Sequence, residues 1–183
     1  MDPSSALPVA IAKADAAGRI ERHVGSWLVR LARRQHATLT AMELVYLPFW
    51  TYDFRAHRRA SAALWAGCLA VETHRRSTAI VPATVTRIPP PESASLLPAA
   101  PPPPVDEVRR VLFWEALAHR RRERPDDVEL EPPRLLYVPF WLGYLRGEGW
   151  DLCPVDATSG KIDLETVDAL LHALQAADRP ASC

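Results

Sequence analysis

The chain has 183 residues, of which 48% are hydrophobic, and its 22 basic residues balance its 22 acidic residues. This composition suffices for one ordinary domain or two small ones with a buried core, and it excludes a wholly disordered protein. Three cysteines without CxxC or HxxxH spacing exclude a disulfide scaffold and predict neither a metal nor a cofactor. No apolar run reaches the roughly 20 residues that cross a membrane, and the N-terminal segment lacks the features of a secretory signal. We therefore expect a cytoplasmic protein without a membrane span.

The first half of the sequence predicts one helix followed by three strands. Apolar residues recur at helical spacing over about 16–36. Residues 43–55 are rich in aromatic and branched side chains, and they contain Pro48, which predicts a strand at a sheet edge or with a bulge. Second and third strands are predicted over about 60–72 and 78–87.

Residues 88–105 separate this half from the next. Two proline runs in this segment favour polyproline II and disfavour helix or interior strand. A semi-rigid connector is the favoured interpretation. A PxxP ligand for an SH3-like partner is the alternative.

The second half begins with a helix from about Asp106 that ends in a basic run. Strands are predicted over 134–146, which contains Pro139, and over 149–156, and a tight turn follows at 156–160. Pro139, like Pro48, predicts an edge or a bulge. The remaining predicted elements are a third strand from Lys161 and a helix after Asp163.

An internal repeat relates the two halves. Tyr46–Trp50 reads YLPFW and returns as YVPFW at Tyr137–Trp141, and a WxxC motif follows each copy, beginning at Trp65 and at Trp150. All six tryptophans pair between the copies in order. Chance is therefore a poor explanation for the series.

The repeat predicts an α+β fold. Two helix–strand–strand–strand halves, over residues 1–87 and 106–183, would be related by a pseudo-two-fold axis, with their helices packed on an antiparallel sheet. Because one such half is small for independent stability, we expect the halves to share one core.

Charge is distributed unevenly between the halves. Ten arginines against four acids give about +6 between Arg19 and Arg76, whereas eleven acids against three basic residues give about −8 between Asp126 and Asp178. Opposite fields would draw the halves together or associate molecules head to tail. Solvated, screened surfaces are the alternative.

A family resemblance rests on the repeated motif. Tyr46–Trp50, with a Leu7-Pro8 start before it and Asp53 after it, resembles an uncharacterised bacterial and archaeal family whose members commonly carry an N-terminal zinc ribbon. Tyr137–Trp141, with the VDATSGK sequence of Val155–Lys161, is similar to that family's later strand pair and to PepSY-type modules. The resemblance implies an α+β fold and a binding or inhibitory role, with no established reaction. The zinc ribbon is absent here, so no zinc-dependent role is carried over.

Two cysteines stand on equivalent predicted strands. Cys68 and Cys153 would form a disulfide, or a two-thiolate metal site completed by His57 or His74, if they met near the pseudo-axis. The favoured interpretation is two small buried side chains, because no ligand cluster with zinc spacing accompanies them.

A possible catalytic set would form if the first two strands pair as a hairpin. Asp53, His57, Glu72 and His74 would then supply carboxylate and imidazole groups for acid–base catalysis or for metal-assisted hydrolysis. The same residues also suit a polar hairpin end. Because GxSxG, P-loop and GxGxxG motifs are absent and no nucleophile–base–orienter set is present, we predict no catalytic residues.

Arginine clusters raise the possibility of nucleic-acid binding, but the isoelectric point near 7.0 is not the basic value typical of such domains. We therefore expect a non-enzymatic protein-binding or assembly module, which self-associates or docks on a partner through aromatic and charge-complementary surfaces. The alternatives are a nucleic-acid-binding accessory protein and a metal-assisted hydrolase using Asp53, His57 and His74. The predicted partner-binding residues are Arg55, Arg58, Arg59, Arg75, Arg76, Trp65 and Trp150.

Overall fold

The computed structural model describes residues 4–26, 37–57, 65–81, 85–119 and 127–178. Within these ranges the protein is α+β, with a mixed sheet of eight strands and three α-helices. The strands are β1 Ser5–Ala6, β2 Thr38–His57, β3 Trp65–Glu72, β4 Thr78–Val81, β5 Ser95–Leu96, β6 Asp127–Leu130, β7 Arg134–Arg146 and β8 Trp150–Asp156. The helices are α1 Lys13–Gly25, α2 Val105–His119 and α3 Val167–Ala177, the last preceded by the 3-10 turn Leu164–Thr166.

Most predicted elements are present, with two differences in the strands. The third strand predicted over 78–87 ends at Val81. The strand predicted from Lys161 is reduced to a single bridge between Ile162 and Val155, because the chain enters the 3-10 turn at Leu164. The part of the first predicted helix that covers 27–36 lies outside the described residues.

The two long strands β2 and β7 pair antiparallel at the centre of the sheet. Leu47 lies opposite Val138, and the ladder extends to Thr51–Arg134 on one side and Thr38–Arg146 on the other. The two repeated YxPFW segments therefore lie edge to edge in one sheet. On their outer sides β3 and β4 continue from β2, and β8 continues from β7.

The sheet is mixed rather than antiparallel because two short strands are added in parallel. β5 pairs with Val45 and Tyr46 of β2, and β1 pairs with Leu136 and Tyr137 of β7. β5 lies on the outer side of β2, next to the residues that pair with β3. β1 lies on the outer side of β7, next to the residues that pair with β8.

Both motif prolines lie inside paired central strands, so the prediction of an edge strand or a bulge at each was wrong. The carbonyl of Pro48 accepts a hydrogen bond from Thr73 N, and that of Pro139 from Ala157 N, both on the outer side of the strand. A strand residue directs its N–H and C=O to the same side, so the missing N–H of each proline also faces outward. On this outer side, each proline lies between the residues that pair with the short parallel strand and those that pair with the antiparallel strand. No backbone carbonyl of the described sheet needs a donor at this position.

Helices α1 and α2 cover one face of the sheet. Ile20 of α1 packs with Leu145 and Val155 of β7 and β8, whereas Leu112 of α2 packs with Tyr52 of β2 and its neighbours on β3. The helix of each half thus covers the hairpin of the other half. A helical stripe predicts which side of a helix is buried, and it carries no information about which hairpin lies beneath.

The opposite face is covered by α3. Leu170 packs there against Leu47 of β2 and against Phe140 and Leu142 of β7. Successive strand residues alternate between faces, so Leu47 and Tyr52 belong to opposite sides of the sheet.

The proline-rich segment predicted as a connector packs on the first half. Leu97 is buried, and Trp50 Nε1 donates to the Ala100 carbonyl at 2.8 Å. The Tyr52 hydroxyl donates to the Pro103 carbonyl at 3.2 Å. Side chains of β2 therefore hold this segment against the sheet where it leads into α2.

Candidate functional site

Helix α3 covers only part of its sheet face, and a polar cleft lies at the uncovered end of that face. The α3 cluster includes Leu47, whereas the residues further along β2 on the same face are Thr51, Asp53 and Arg55. The cleft has a volume of about 440 Å³. It is lined by Asp53, Phe54 and Arg55 of β2, Ala66 and Gly67 of β3, and Val85, Arg87, Glu131 and Arg134.

Arg134 forms the centre of an ion-pair network on one wall of the cleft. Its Nη2 donates to Asp53 Oδ2 and, at 3.0 Å, to Glu131 Oε2. The backbone of Arg134 is fixed as well, because the Thr51 hydroxyl donates to its carbonyl at 2.9 Å. The side chains of Arg134 and Asp53 are 34% and 32% exposed, so the pair borders solvent. Two carboxylates thus bind this guanidinium, and the three groups together carry a formal charge of −1.

Cys68 lies behind this wall, opposite Asp53 in the β2–β3 ladder, and is 1% exposed. Burial raises the pKa of the Cys68 thiol to about 11, and Asp53 adds to the rise by hydrogen bonding and by charge, against a smaller opposing effect of Arg87. The thiol is therefore protonated at neutral pH. A protonated, buried thiol is a poor nucleophile.

Two arginines of the cleft have no acidic partner among the described residues. Arg87 Nη2 lies 3.6 Å from Cys68 Sγ, and no described carboxylate forms an ion pair with Arg87 or with Arg55. Three arginines against Asp53 and Glu131 give the lining a formal charge of +1. The cleft is therefore suited to bind a negatively charged group.

A different pair occupies the corresponding place on the other side of the Leu47–Val138 pair. Tyr144 corresponds to Asp53, because it lies as many residues after Val138 as Asp53 lies after Leu47. In the same way Glu43 corresponds to Arg134, because it lies as many residues before Leu47 as Arg134 lies before Val138. The Tyr144 hydroxyl donates to Glu43 Oε1. Burial, followed by the hydrogen bond and charge of Glu43, raises the pKa of Tyr144 to about 12.

The contrast extends to the neighbouring position. Leu142 corresponds to Thr51, because Leu142 pairs with Glu43 and Thr51 pairs with Arg134 in the ladder. Leu142 and Tyr144 both belong to the apolar cluster under α3. At these two positions the residues are thus apolar or aromatic under α3, whereas Thr51 and Asp53 are polar.

Cys68 and Cys153 do not meet, so the possibility of a disulfide or a shared metal site between them was wrong. They lie on β3 and β8, with β2 and β7 between them, and at levels of the ladder marked by Asp53 and Met42 of β2, so they are separated by about 14 Å across the sheet and by about 36 Å along the strands. Their side chains also point to opposite faces, because Cys68 pairs with Asp53 and Cys153 with Gly143. Both are buried and neither forms a disulfide, as the favoured interpretation predicted.

The acidic and imidazole groups considered for catalysis are not brought together. Asp53 lies in the cleft, whereas Glu72 pairs with Phe49, about 13 Å further along the hairpin. The buried Glu72 carboxylate accepts from the backbone N–H of His74 at 2.9 Å and so caps the turn, while His74 Nε2 lies 2.8 Å from the Pro98 carbonyl. The His57 side chain lies outside what the structure describes. In the described part of the chain, no cluster of three His, Cys, Asp or Glu residues would hold a metal.

The predicted partner-binding residues are scattered over the molecule. Arg55 lines the cleft, Arg75 pairs with Asp168 of α3 at 3.5 Å, and Arg76 adopts a left-handed φ of 61° in the turn after β3. Trp150 is 64% exposed beneath the Arg146 guanidinium, 4.8 Å from its ring centroid, at the opposite end of the sheet from Arg55. Arg58, Arg59 and the side chain of Trp65 lie outside the described residues.

Sequence reasoning singled out Arg55 and Asp53 but missed their neighbours Arg87, Glu131 and Arg134. Arg87 and Glu131 lie in irregular segments beside prolines, where no periodicity indicates which way a side chain points. For Arg134, the predicted start of a strand at this residue was the one feature of the sequence that could have indicated its position.

Comparisons of the chain with protein-family models, with curated proteins and with solved structures gave no match. Among the described helices, none combines the length and the apolar character that crossing a membrane requires.

Proposed function

We propose that this protein is a non-enzymatic binding module, built by duplication of an α+β half, which docks on a protein partner through the open cleft of its first half. The duplication rests on the sequence repeat and on the matching local geometry of its two copies. The docking role rests on the contrast between the covered and the open ends of one sheet face.

The turns that follow β3 and β8 support the duplication. Glu72 N donates to the Ser77 carbonyl at 2.8 Å, and Asp156 N donates to the Lys161 carbonyl at 2.9 Å. The fifth residue of each turn has a left-handed φ, 61° at Arg76 and 76° at Gly160. The left-handed φ recurs at the same place in both turns, and in the first turn it is held by a non-glycine residue, which is uncommon, so the match favours a common origin.

The segments before the helices support it as well. The Leu97 N–H donates to the Tyr46 carbonyl, and the Leu7 N–H donates to the Tyr137 carbonyl. Leu97 and Leu7 are each followed by proline, so a Leu-Pro pair leads away from the sheet toward a helix in both halves.

The observation that carries the docking role is the change of chemistry at corresponding positions. Leu142 and Tyr144 pack under α3, whereas their counterparts are polar: Asp53 lines the open cleft, and Thr51 is buried beside it. Polar groups on an uncovered sheet face suit a ligand rather than a helix of the same chain. Because the Cys68 thiol is protonated and acidic groups close to it are held by Arg134, the cleft favours binding over catalysis.

The test is a comparison of matched variants in affinity capture from the cell that makes the protein. Ala66→Trp fills the cleft with a bulky ring, and Ala14→Trp places the same ring on the exposed side of α1, on the other face. We expect the wild-type protein and Ala14→Trp to retain the same stoichiometric companion, and Ala66→Trp to lose it. Equal retention by all three proteins, or no specific companion for any of them, would contradict the proposal.

A further inference from the structure

We infer that the group recognised in the cleft is a single carboxylate of an acidic side chain on the partner, with Arg87 as its main donor. This inference rests on the proposed docking role and adds the chemistry of the contact.

Arg87 is the guanidinium with free donor capacity. Arg134 is already bound by Asp53 and Glu131, whereas the one hydrogen bond from Arg87 to another described side chain is the 3.6 Å contact with Cys68 Sγ. A guanidinium has five N–H donors in a planar fork that matches the two oxygens of a carboxylate. The buried Cys68 sulfur thus orients Arg87 and leaves most of its donors for a ligand.

The formal charge of the residues that line the cleft favours a ligand with a single negative charge. The formal charge of +1 balances one carboxylate. A phosphomonoester carries about −1.5 to −2 at neutral pH, and its additional charge would be repelled by Asp53 and Glu131 on the adjacent wall. Glu or Asp side chains of a protein segment are therefore better matched than phosphoserine.

Arg55 supplies the second positive charge at the opening. It lines the cleft but is exposed, whereas Arg87 is half-buried. We assign it an attractive role at longer range, whereas Arg87 makes the direct contact.

The test uses the full-length protein labelled with ¹⁵N and three blocked peptides as probes. These are acetyl-Gly-Glu-Gly-amide, its glutamine analogue and its phosphoserine analogue, at constant ionic strength, and the readout is the movement of the Ala66 and Gly67 backbone amide signals. We expect saturable binding of the glutamate peptide, with the glutamine peptide about tenfold to a hundredfold weaker, as for loss of a charge-assisted hydrogen bond.

Three variants locate the donor. Arg87→Gln should lower the affinity for the glutamate peptide about tenfold or more, Arg87→Lys should give an intermediate loss because it keeps the charge without the fork, and Arg110→Gln on the exposed side of α2 should change nothing. Unchanged amide dispersion outside the cleft confirms that each variant is folded. Equal binding of the glutamate and glutamine peptides, tighter binding of the phosphoserine peptide, or full affinity in Arg87→Gln would overturn the inference.

The outcome also separates this inference from the docking role. If none of the peptides binds while Ala66→Trp still abolishes partner capture, the carboxylate inference fails and docking stands. If Ala66→Trp leaves capture unchanged, the docking role itself fails.

Discussion

Leu47 and Val138 lie opposite each other in the antiparallel ladder of β2 and β7, and each is the second residue of a YxPFW segment. The neighbouring pairs are Tyr46–Pro139 and Pro48–Tyr137, so a two-fold rotation about the central pair exchanges one with the other. Residues at equal distances from this centre occupy comparable positions in the sheet. Their side chains can therefore be compared position by position, and the clearest chemical difference is at the cleft.

Close contact between α1 and the sheet depends on Gly143. A Cβ at this position would lie 2.5 Å from Ile20 Cδ1. We expect Gly143→Ala to lower the free energy of unfolding by about 1–3 kcal/mol through overpacking. Ile20→Val removes the clashing methyl group and alone costs about 0.5–1.5 kcal/mol.

The double variant tests this contact. If Gly143→Ala and Ile20→Val relieve each other, urea denaturation will show a smaller loss in the double variant than the sum of the two single losses. Additive losses would mean that α1 does not rest on Gly143.

The turn after β8 has a glycine at its left-handed position, where a side chain would also meet Arg19. Gly160 has a φ of 76°, and an added Cβ would lie 2.8 Å from Arg19 Cζ, whose guanidinium donates to the Gly160 carbonyl. We expect Gly160→Ala to cost about 1–2 kcal/mol in unfolding free energy. Gly149→Ala is the matched control, because nothing lies within 4 Å of its added Cβ. A thermal midpoint for Gly160→Ala equal to that of Gly149→Ala would refute the turn geometry.

Stability should fall at alkaline pH in a way that depends on Tyr144. The folded-state pKa of Tyr144, about 12, lies above its ordinary value of 10.0, because burial and the adjacent Glu43 carboxylate both disfavour the phenolate. A raised pKa contributes stability that is fully present below pH 10 and is lost as pH rises through 12. We expect Tyr144→Phe to show a shallower decline in the free energy of unfolding between pH 10 and 12 than the wild-type protein. The measurement is urea denaturation across that range, and parallel declines would contradict the assignment.

The two internal cysteines should be unreactive in the native state. Cys68 and Cys153 are each 1% exposed, and the pKa of Cys68 is raised to about 11. We expect iodoacetamide at neutral pH to label neither of them until the protein is unfolded, and then to label both without prior reduction. Peptide mass spectrometry distinguishes this from the alternatives, since rapid native labelling or a Cys68–Cys153 disulfide peptide would be incompatible with the structure.

The sequence predicted the central strands well because the repeated motif and their aromatic content are local properties. The strand predicted over 134–146 coincides with β7, and the one over 43–55 lies within β2. The sequence could not predict that each helix packs on the hairpin of the other half, because an amphipathic helix can bury its apolar stripe against any apolar surface. The repeat alone leaves open whether α1 packs on its own hairpin or on that of the other half.

Aligning the two WxxC motifs was misleading for a physical reason. The ladder pairs Cys68 with Asp53, and it pairs Cys153 with Gly143, which corresponds to Tyr52 rather than to Asp53. The motifs are thus shifted by one residue relative to the sheet. A shift of one residue moves a side chain to the opposite face, so the two cysteines do not occupy equivalent positions in the sheet.

The central claim, that the open cleft of the first half is the docking surface, is tested most directly by site-specific photo-crosslinking in the producing cell. A photoreactive side chain at Ala66 would lie in the cleft, and the same group at Arg110 would lie on the exposed side of α2, away from the cleft. The account predicts one discrete crosslinked protein from position 66 and none from position 110. Crosslinks from position 110 alone, or the same products from both positions, would contradict it.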